Sequence, residues 1–292
     1  MTITVERSAK NAFLGTGSVL IGATLMPWSA AIVQPVFVAV GPSASSAARF
    51  FLGALVLLAL TRPKLRSWTR HQWTGALLFG LAAAFMNQCF YQAIARIPLG
   101  SAVAIEFLGP FLVAALGKRT WRHLGFVVLA GFGVVALSRP GGGLTLVGGL
   151  FAVGAGIGWA SYLFASHRVG GSTVGLDGLA VSMSVAALVT LPMSVGSAHI
   201  FVQHPYLGGR LLIVAVMSIV LGFGAELQAL RRLKPAVVGV LMAFNPAIAF
   251  VIGWMLLSER ITPWVLVGLL SVVLGGVGVT LDQARRVELA PQ

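Results

Sequence analysis

Apolar residues along this chain fall into ten runs separated by short polar segments, at approximately 12–37, 43–61, 74–94, 99–117, 124–138, 145–165, 178–196, 207–230, 235–257 and 262–281. With a helical rise of about 1.5 Å per residue, runs of this length cross most or all of a bilayer's hydrocarbon core. The pattern predicts an all-α integral membrane protein with ten transmembrane helices. The fourth run departs from plain hydrophobicity, because Glu106 stands in its middle and Gly109-Pro110 follows one turn later. Pro110 lacks the N–H that would bond the Glu106 carbonyl, so the helix is expected to kink or open beside the acid. An ionisable group at membrane depth is expensive, and a broken helix there needs a cavity or protein neighbours. Both features point to a solute site near the bilayer midplane.

Composition agrees with the pattern. Of 292 residues 58% are hydrophobic and 9% charged, with a mean hydropathy of +0.94, whereas soluble domains carry roughly a quarter charged residues. A formal charge of +13 would suggest a nucleic-acid partner in a soluble chain. Here the cations sit between apolar runs, so no such partner is expected and orientation in the membrane explains them. Arg7 and Lys10 precede the first run, and Arg62, Lys64, Arg66 and Arg70 follow the second. Lys118, Arg119 and Arg122 follow the fourth, Arg168 the sixth, Arg231, Arg232 and Lys234 the eighth, and Arg285 and Arg286 the tenth. Only Arg96, Arg139, Arg210 and Arg260 fall on the other side. The positive-inside rule then places both termini in the cytoplasm of a bacterial inner membrane protein and favours an even number of spans. Residues 1–10 are too short and polar for a cleaved signal peptide. Cys89 is the only cysteine, which excludes an intrachain disulfide and a thiolate cluster.

The halves 1–140 and 141–292 look related. Gln92, Ala93, Arg96, Pro110 and Gly117 recur 136 positions later as Gln228, Ala229, Arg232, Pro246 and Gly253. Repeats of five spans must be inverted in the membrane, and the loop charges beside Arg96 and Arg232 agree with that. Inverted repeats with interrupted helices at matching positions are a signature of secondary transporters; Pro110 and Asn245-Pro246 are those positions and the expected hinges. Gly154-Ala155-Gly156-Ile157-Gly158 lacks the preceding strand of a dinucleotide loop and reads as close helix packing. No ATP-binding motif is found, the histidines lie in loops without metal-ligand spacing, and no cofactor is expected.

Glu106 is the leading site residue: it is placed to pair with a substrate ammonium or to exchange a proton, against the alternative of a structural acid bonded to opened backbone. Glu226 reads equally as a site acid and as a partner for Arg231 or Arg232. Asn87 and Tyr91 share one helix face and Gln88 and Gln92 another, so one pair lines a cavity while the other bonds a neighbouring helix. Trp28, Trp159 and Tyr162 fall in mid-run, as cavity walls or as core. Asn245 offers its amide to a substrate or caps carbonyls freed by Pro246. Arg49, near the start of the second run, is expected to snorkel or to pair structurally.

Two five-helix halves, each with a proline in its fourth helix, resemble the EamA branch of the drug/metabolite transporter superfamily. The resemblance covers nearly the whole chain. Ile97-Pro98-Leu99-Gly100 through Glu106-Phe107 and Gly109-Pro110, with Asn87, Arg49-Phe50, Leu52-Gly53, and Glu226 followed by Gly239, resembles bacterial threonine/homoserine exporters. Leu257-Ser258-Glu259 resembles the acidic loop that ends the second half's fourth helix in this superfamily, where a structural role is implied. The resemblance implies export of amino acids, threonine- or homoserine-like or aromatic, and related metabolites by alternating access through a central cavity. One departure is Asn245, which stands where a glutamate precedes the proline in the threonine exporters. The competing reading is a multidrug exporter, with Glu106 attracting lipophilic cations and aromatic residues stacking on them. An enzyme would need paired catalytic groups at membrane depth; no histidine lies deep in a run, and Glu106 and Glu226 are expected at different depths. A monomer is the working expectation.

Overall fold

The computed structural model describes residues 2–115, 121–137, 143–172, 176–233 and 235–289, and among these it contains helices and turns but no strand. Each apolar run becomes a helical segment: α1 (Thr2–Val33), α2 (Pro42–Thr61), α3 (Arg70–Ile94), α4 (Leu99–Ala115), α5 (Trp121–Leu137), α6 (Leu146–Ser172) and α7 (Asp177–Thr190). They are followed by α8 (Pro205–Ala215), a π-helical stretch (Val216–Phe223), α9 (Gly224–Arg232), α10 (Pro235–Met242), α11 (Asn245–Leu257) and α12 (Pro263–Leu289). Seven helices are long and apolar enough to cross a membrane, and the apolar helices Leu99–Gly109, Leu124–Leu137 and Asp177–Thr190 are shorter.

Local chemistry sets the boundaries. Pro42, Pro205, Pro235 and Pro263 each open a helix, where a missing N–H costs nothing and the fixed φ is already helical. Thr69 and Gln72 form a capping box at the start of α3, in which the Gln72 Oε1 accepts from the Thr69 N–H at 2.8 Å, satisfying donors that the first turn leaves free. The ninth apolar run is split: α10 stops at Met242 and α11 starts at Asn245, with Pro246 in its first turn. The expected matching interruption in the first half is absent, since α4 runs from Leu99 to Ala115 through Pro110. A neighbouring helix covers the Glu106 carbonyl that Pro110 cannot bond: a Cβ built on Gly156 of α6 would lie 2.8 Å from that oxygen.

The most extensive packing crosses between the halves, pairing α3 with α6, α5 with α12, α4 with α6 and α11, α2 with α7, and α1 with α9 and the π-helical stretch. Glycines in Gly154–Gly158 serve this packing, as the sequence predicts: Gly156 meets the Glu106–Gly109 turn and Gly158 meets Met86. The main apolar core joins Phe50, Phe79, Phe107, Trp159, Met183, Ile219 and Phe250. Large apolar side chains such as Leu60, Val128, Leu150, Leu188 and Leu270 are left exposed on the outside, an arrangement suited to lipid rather than water.

Candidate functional site

A cavity of about 100 Å³ opens in the middle of this packing. Five of its polar lining residues come from five different segments: Arg49 on α2, Asn87 on α3, Glu106 on α4, Glu226 on α9 and Asn245 at the start of α11. Trp159, Met86, Val103 and Phe223 supply much of its apolar wall. On α1 the lining runs from Val19 to Ala30, about 16 Å of helix axis.

The cavity is organised around Arg49, which is only 3% exposed. About 10 Å of helix separates it from Pro42, and its side chain turns inward instead of reaching a membrane surface. Of the two expectations for Arg49, snorkelling and structural pairing, the structure bears out pairing. Its Nη1 donates to Ser218 Oγ at 2.8 Å and its Nη2 to Asn87 Oδ1 at 2.5 Å. Each acceptor is oriented by its own helix: Ser218 Oγ donates to the Val214 carbonyl at 2.7 Å and Asn87 Nδ2 to the Ala83 carbonyl at 2.9 Å. These bonds turn the Ser218 Oγ lone pairs and the Asn87 Oδ1 toward the guanidinium. The rings of Phe50 and Tyr91 lie 4.9 Å and 5.0 Å from its centre, a cation–π distance. Arg49 Nε and the Tyr91 hydroxyl have no hydrogen-bond partner among the described residues.

The π-helical stretch contributes to this geometry. Its wider turn brings residues five apart onto one face, and Ser218 and Phe223 both line the cavity. Three residues further, in α9, Glu226 joins them. The Tyr162 hydroxyl hydrogen-bonds the Glu226 carboxylate, whose Oε1 has no partner. The Tyr162 ring packs on Phe79 at 4.5 Å and Phe223 at 5.7 Å.

Glu106, Asn87, Tyr91, Trp159, Glu226 and Asn245 thus line one cavity. Gln88 lies outside the lining; its Nε2 donates to the Ser43 carbonyl at 3.3 Å, and Gln92 Nε2 donates to Ser43 Oγ at 2.7 Å. The α3 faces divide as the spacing predicts, with Asn87 and Tyr91 on the cavity and Gln88 and Gln92 on α2. Trp28, 38% exposed, is also outside the lining, where its neighbours Met26, Pro27 and Ser29 stand instead. Tyr162 stands one step back from the lining, hydrogen-bonded to Glu226. Pro246 sits just behind Asn245 at the α11 start, and Pro110 lies within α4. Sequence reasoning missed Arg49 and Ser218 as a pair; an arginine a third of the way into an apolar run was the available signal.

The chain is similar to the threonine/homoserine exporter RhtA of Salmonella typhimurium strain LT2, 32% identical over 273 residues covering 92% of each chain. It is likewise 32% identical to the threonine/homoserine exporter RhtA of Escherichia coli strain K12 over 265 residues, 90% of each. A solved crystal structure, 17% identical, shares the fold with a TM-score of 0.60 over 96% of this chain and 99% of that one. Residues 146–281 match the EamA-like transporter family. Apolar helices, an outward-facing apolar surface and these bacterial relatives together describe a multi-pass bacterial membrane protein, and the chain belongs to the EamA-like transporter family within the drug/metabolite transporter superfamily.

Proposed function

We propose that this protein is a secondary transporter that exports amino acids, threonine- or homoserine-like or aromatic, from the cytoplasm by alternating access through the central cavity. The observation that carries the reading is the cavity itself: a buried cation and two carboxylates converge on space enclosed by helices of both halves, as a zwitterionic solute would require. Relatives that export threonine and homoserine support the substrate class. Glu106 and Glu226 take the ammonium or a coupling proton. Asn87, Tyr91, Trp159 and Asn245 shape the remaining surface, and Pro110 and Pro246 flank the moving parts.

Ten spans in two inverted five-helix repeats, residues 1–140 and 141–292 with both termini cytoplasmic, form the framework of this reading. The packing supports it. Exchanging each apolar run for the one five places on turns the contact of α3 with α6 into that of the α8–α9 segment with α1. It likewise turns the contact of α4 with α6 into that of α11 with α1, and leaves the α2–α7, α4–α11 and α5–α12 contacts on themselves. Two pseudo-equivalent halves of this kind can rock about a shared site.

Counterflow of labelled threonine, homoserine, methionine and phenylalanine into proteoliposomes tests the function, with Glu106→Gln alongside. Uptake against preloaded substrate is expected, ranked by substrate and weakened by the substitution. Absence of any uptake by folded protein would defeat the amino-acid reading and favour drug export, which the apolar wall of the cavity admits but its buried arginine opposes.

A further inference from the structure

Arg49 presents an unfinished recognition surface. A guanidinium carries five N–H donors; Nη1 uses one on Ser218, Nη2 uses one on Asn87, and Nε uses none. Both acceptors are neutral, and among the described residues no carboxylate pairs with Arg49. A buried charge without a counter-charge is costly, and the Phe50 and Tyr91 rings offset only part of that cost. What remains free is a rigid planar fork of donors, whose complement is a carboxylate.

Helix packing sets an acid at the same depth. On α6, Gly158 meets Met86 and Gly154 meets Cys89, so Gly156 between them is level with Asn87; Gly156 also meets the Glu106 carbonyl and Gly109. Glu106 and the Arg49–Asn87 pair therefore occupy one layer of the cavity. Glu226 is the second acid of the cavity wall and is engaged by the Tyr162 hydroxyl; the Tyr162 backbone is six residues beyond Gly156, about 9 Å along α6.

Resting on the exporter reading above, we propose that Arg49 binds the α-carboxylate of the exported amino acid, held for that purpose by Asn87 and Ser218, while Glu106 in the same layer takes its ammonium. The pair makes the cavity selective for zwitterions. Amines, amino amides and lipophilic cations meet the guanidinium as a like charge or leave it unpaired, and N-acylated amino acids leave Glu106 unpaired.

Competition in wild-type proteoliposomes tests this without disturbing the fold. Counterflow of labelled threonine is measured against unlabelled threonine, threonine amide and N-acetylthreonine, and then repeated with Arg49→Lys and Arg49→Met. Both analogues are expected to compete at least about tenfold more weakly than threonine, because a site built to bond a group rejects its absence. Arg49→Lys, which keeps the charge but not the fork, is expected to weaken threonine affinity and narrow its advantage over the amide; Arg49→Met is expected to abolish that advantage. Absence of amino-acid counterflow in the wild type overturns the exporter reading itself. Counterflow in which the amide competes as well as threonine, or in which Arg49→Met keeps wild-type affinity and selectivity, overturns the Arg49 assignment alone.

Discussion

The Glu259 carboxylate accepts a hydrogen bond from the Leu99 N–H at 2.6 Å, joining residues 160 positions apart. Glu259 follows α11, and Leu99 opens α4, the helix that carries Glu106. First-turn amides have no intrahelical acceptor, and Pro98 before them has no side-chain oxygen to offer. An acid from the second half supplies the cap instead. Gly253 leaves the room it needs, since a Cβ there would lie 2.3 Å from Glu259 Oε2. The structural role implied for the Leu257-Ser258-Glu259 loop thus has a definite form.

Removing this cap with Glu259→Ala is expected to lower stability by about 1–2 kcal/mol, read as thermal denaturation in detergent. Glu259→Gln keeps an acceptor and separates the cap from the charge. Burial pushes the Glu259 carboxyl above its usual range, opposed by the Leu99 and Gly100 N–H groups. A raised folded value means that the fold favours the protonated acid. Its stabilising contribution is therefore complete below the ordinary carboxylate range and is lost as pH rises through the raised value. The stability of wild type relative to Glu259→Gln should fall with rising pH across that window. A difference constant with pH would contradict this.

Backbone contact between α4 and α6 leaves no space for a side chain at Gly109, where a Cβ would come 1.9 Å from the Gly156 carbonyl oxygen. Gly109→Ala must push the helices apart and carry Glu106 with them. A loss of about 1–3 kcal/mol is expected, together with loss of transport. Gly149, on the same helix as Gly156 but with nothing within 4 Å of a built Cβ, is the control: Gly149→Ala should be neutral or stabilising by up to about 1 kcal/mol. Equal melting temperatures for the two variants would refute the contact.

Periodicity and loop charge made the helices legible, because lipid exposure imposes long apolar runs on any sequence that crosses it. The mid-run acid Glu106 and the Asn87–Tyr91 face were legible for the same reason: polarity is rare at that depth. For Arg49 the choice between snorkelling and structural pairing stayed open, because its distance along the sequence from a membrane surface does not say which way the side chain turns. Asn87 and Ser218 decide that, and they lie on α3 and in the π-helical stretch. That wide turn, which brings Ser218 and Phe223 onto one face, carries no marker in Val216–Phe223. Pro110 is the opposite case. Its local chemistry predicts a kinked or opened helix; Gly156 packs against the freed carbonyl and the helix continues past it.

Gln88 and Asn87 are sequence neighbours with separate tasks, which mutation can separate. Gln88 bonds the Ser43 carbonyl at the start of α2 and does not reach the cavity. Gln88→Leu should lower stability by about 1 kcal/mol while leaving KM within about twofold of wild type and the ranking of amino acids unchanged. A changed ranking would show that Gln88 contacts substrate after all.

Asn87 offers the sharpest separation of stability from transport. Its Oδ1 accepts from Arg49 Nη2 while its Nδ2 is held by the Ala83 carbonyl. Asn87→Leu removes the acceptor and leaves more of a buried guanidinium unpaired, for a cost of about 1–3 kcal/mol. Asn87→Asp keeps the shape and places a carboxylate against the cation, while giving up the Nδ2 donor to the Ala83 carbonyl. A close pair of opposite charges at a guanidinium only 3% exposed is stronger than one at a surface and offsets the lost donor, so the melting temperature should hold or rise. The same carboxylate competes with any substrate carboxylate for Arg49, so amino-acid counterflow should fall at least about tenfold, with KM rising more than Vmax falls if binding is what is lost. A stable but inactive Asn87→Asp beside an unstable Asn87→Leu would mark Arg49 as a cation kept unpaired for its substrate. Normal transport by Asn87→Asp would instead mark it as a structural charge.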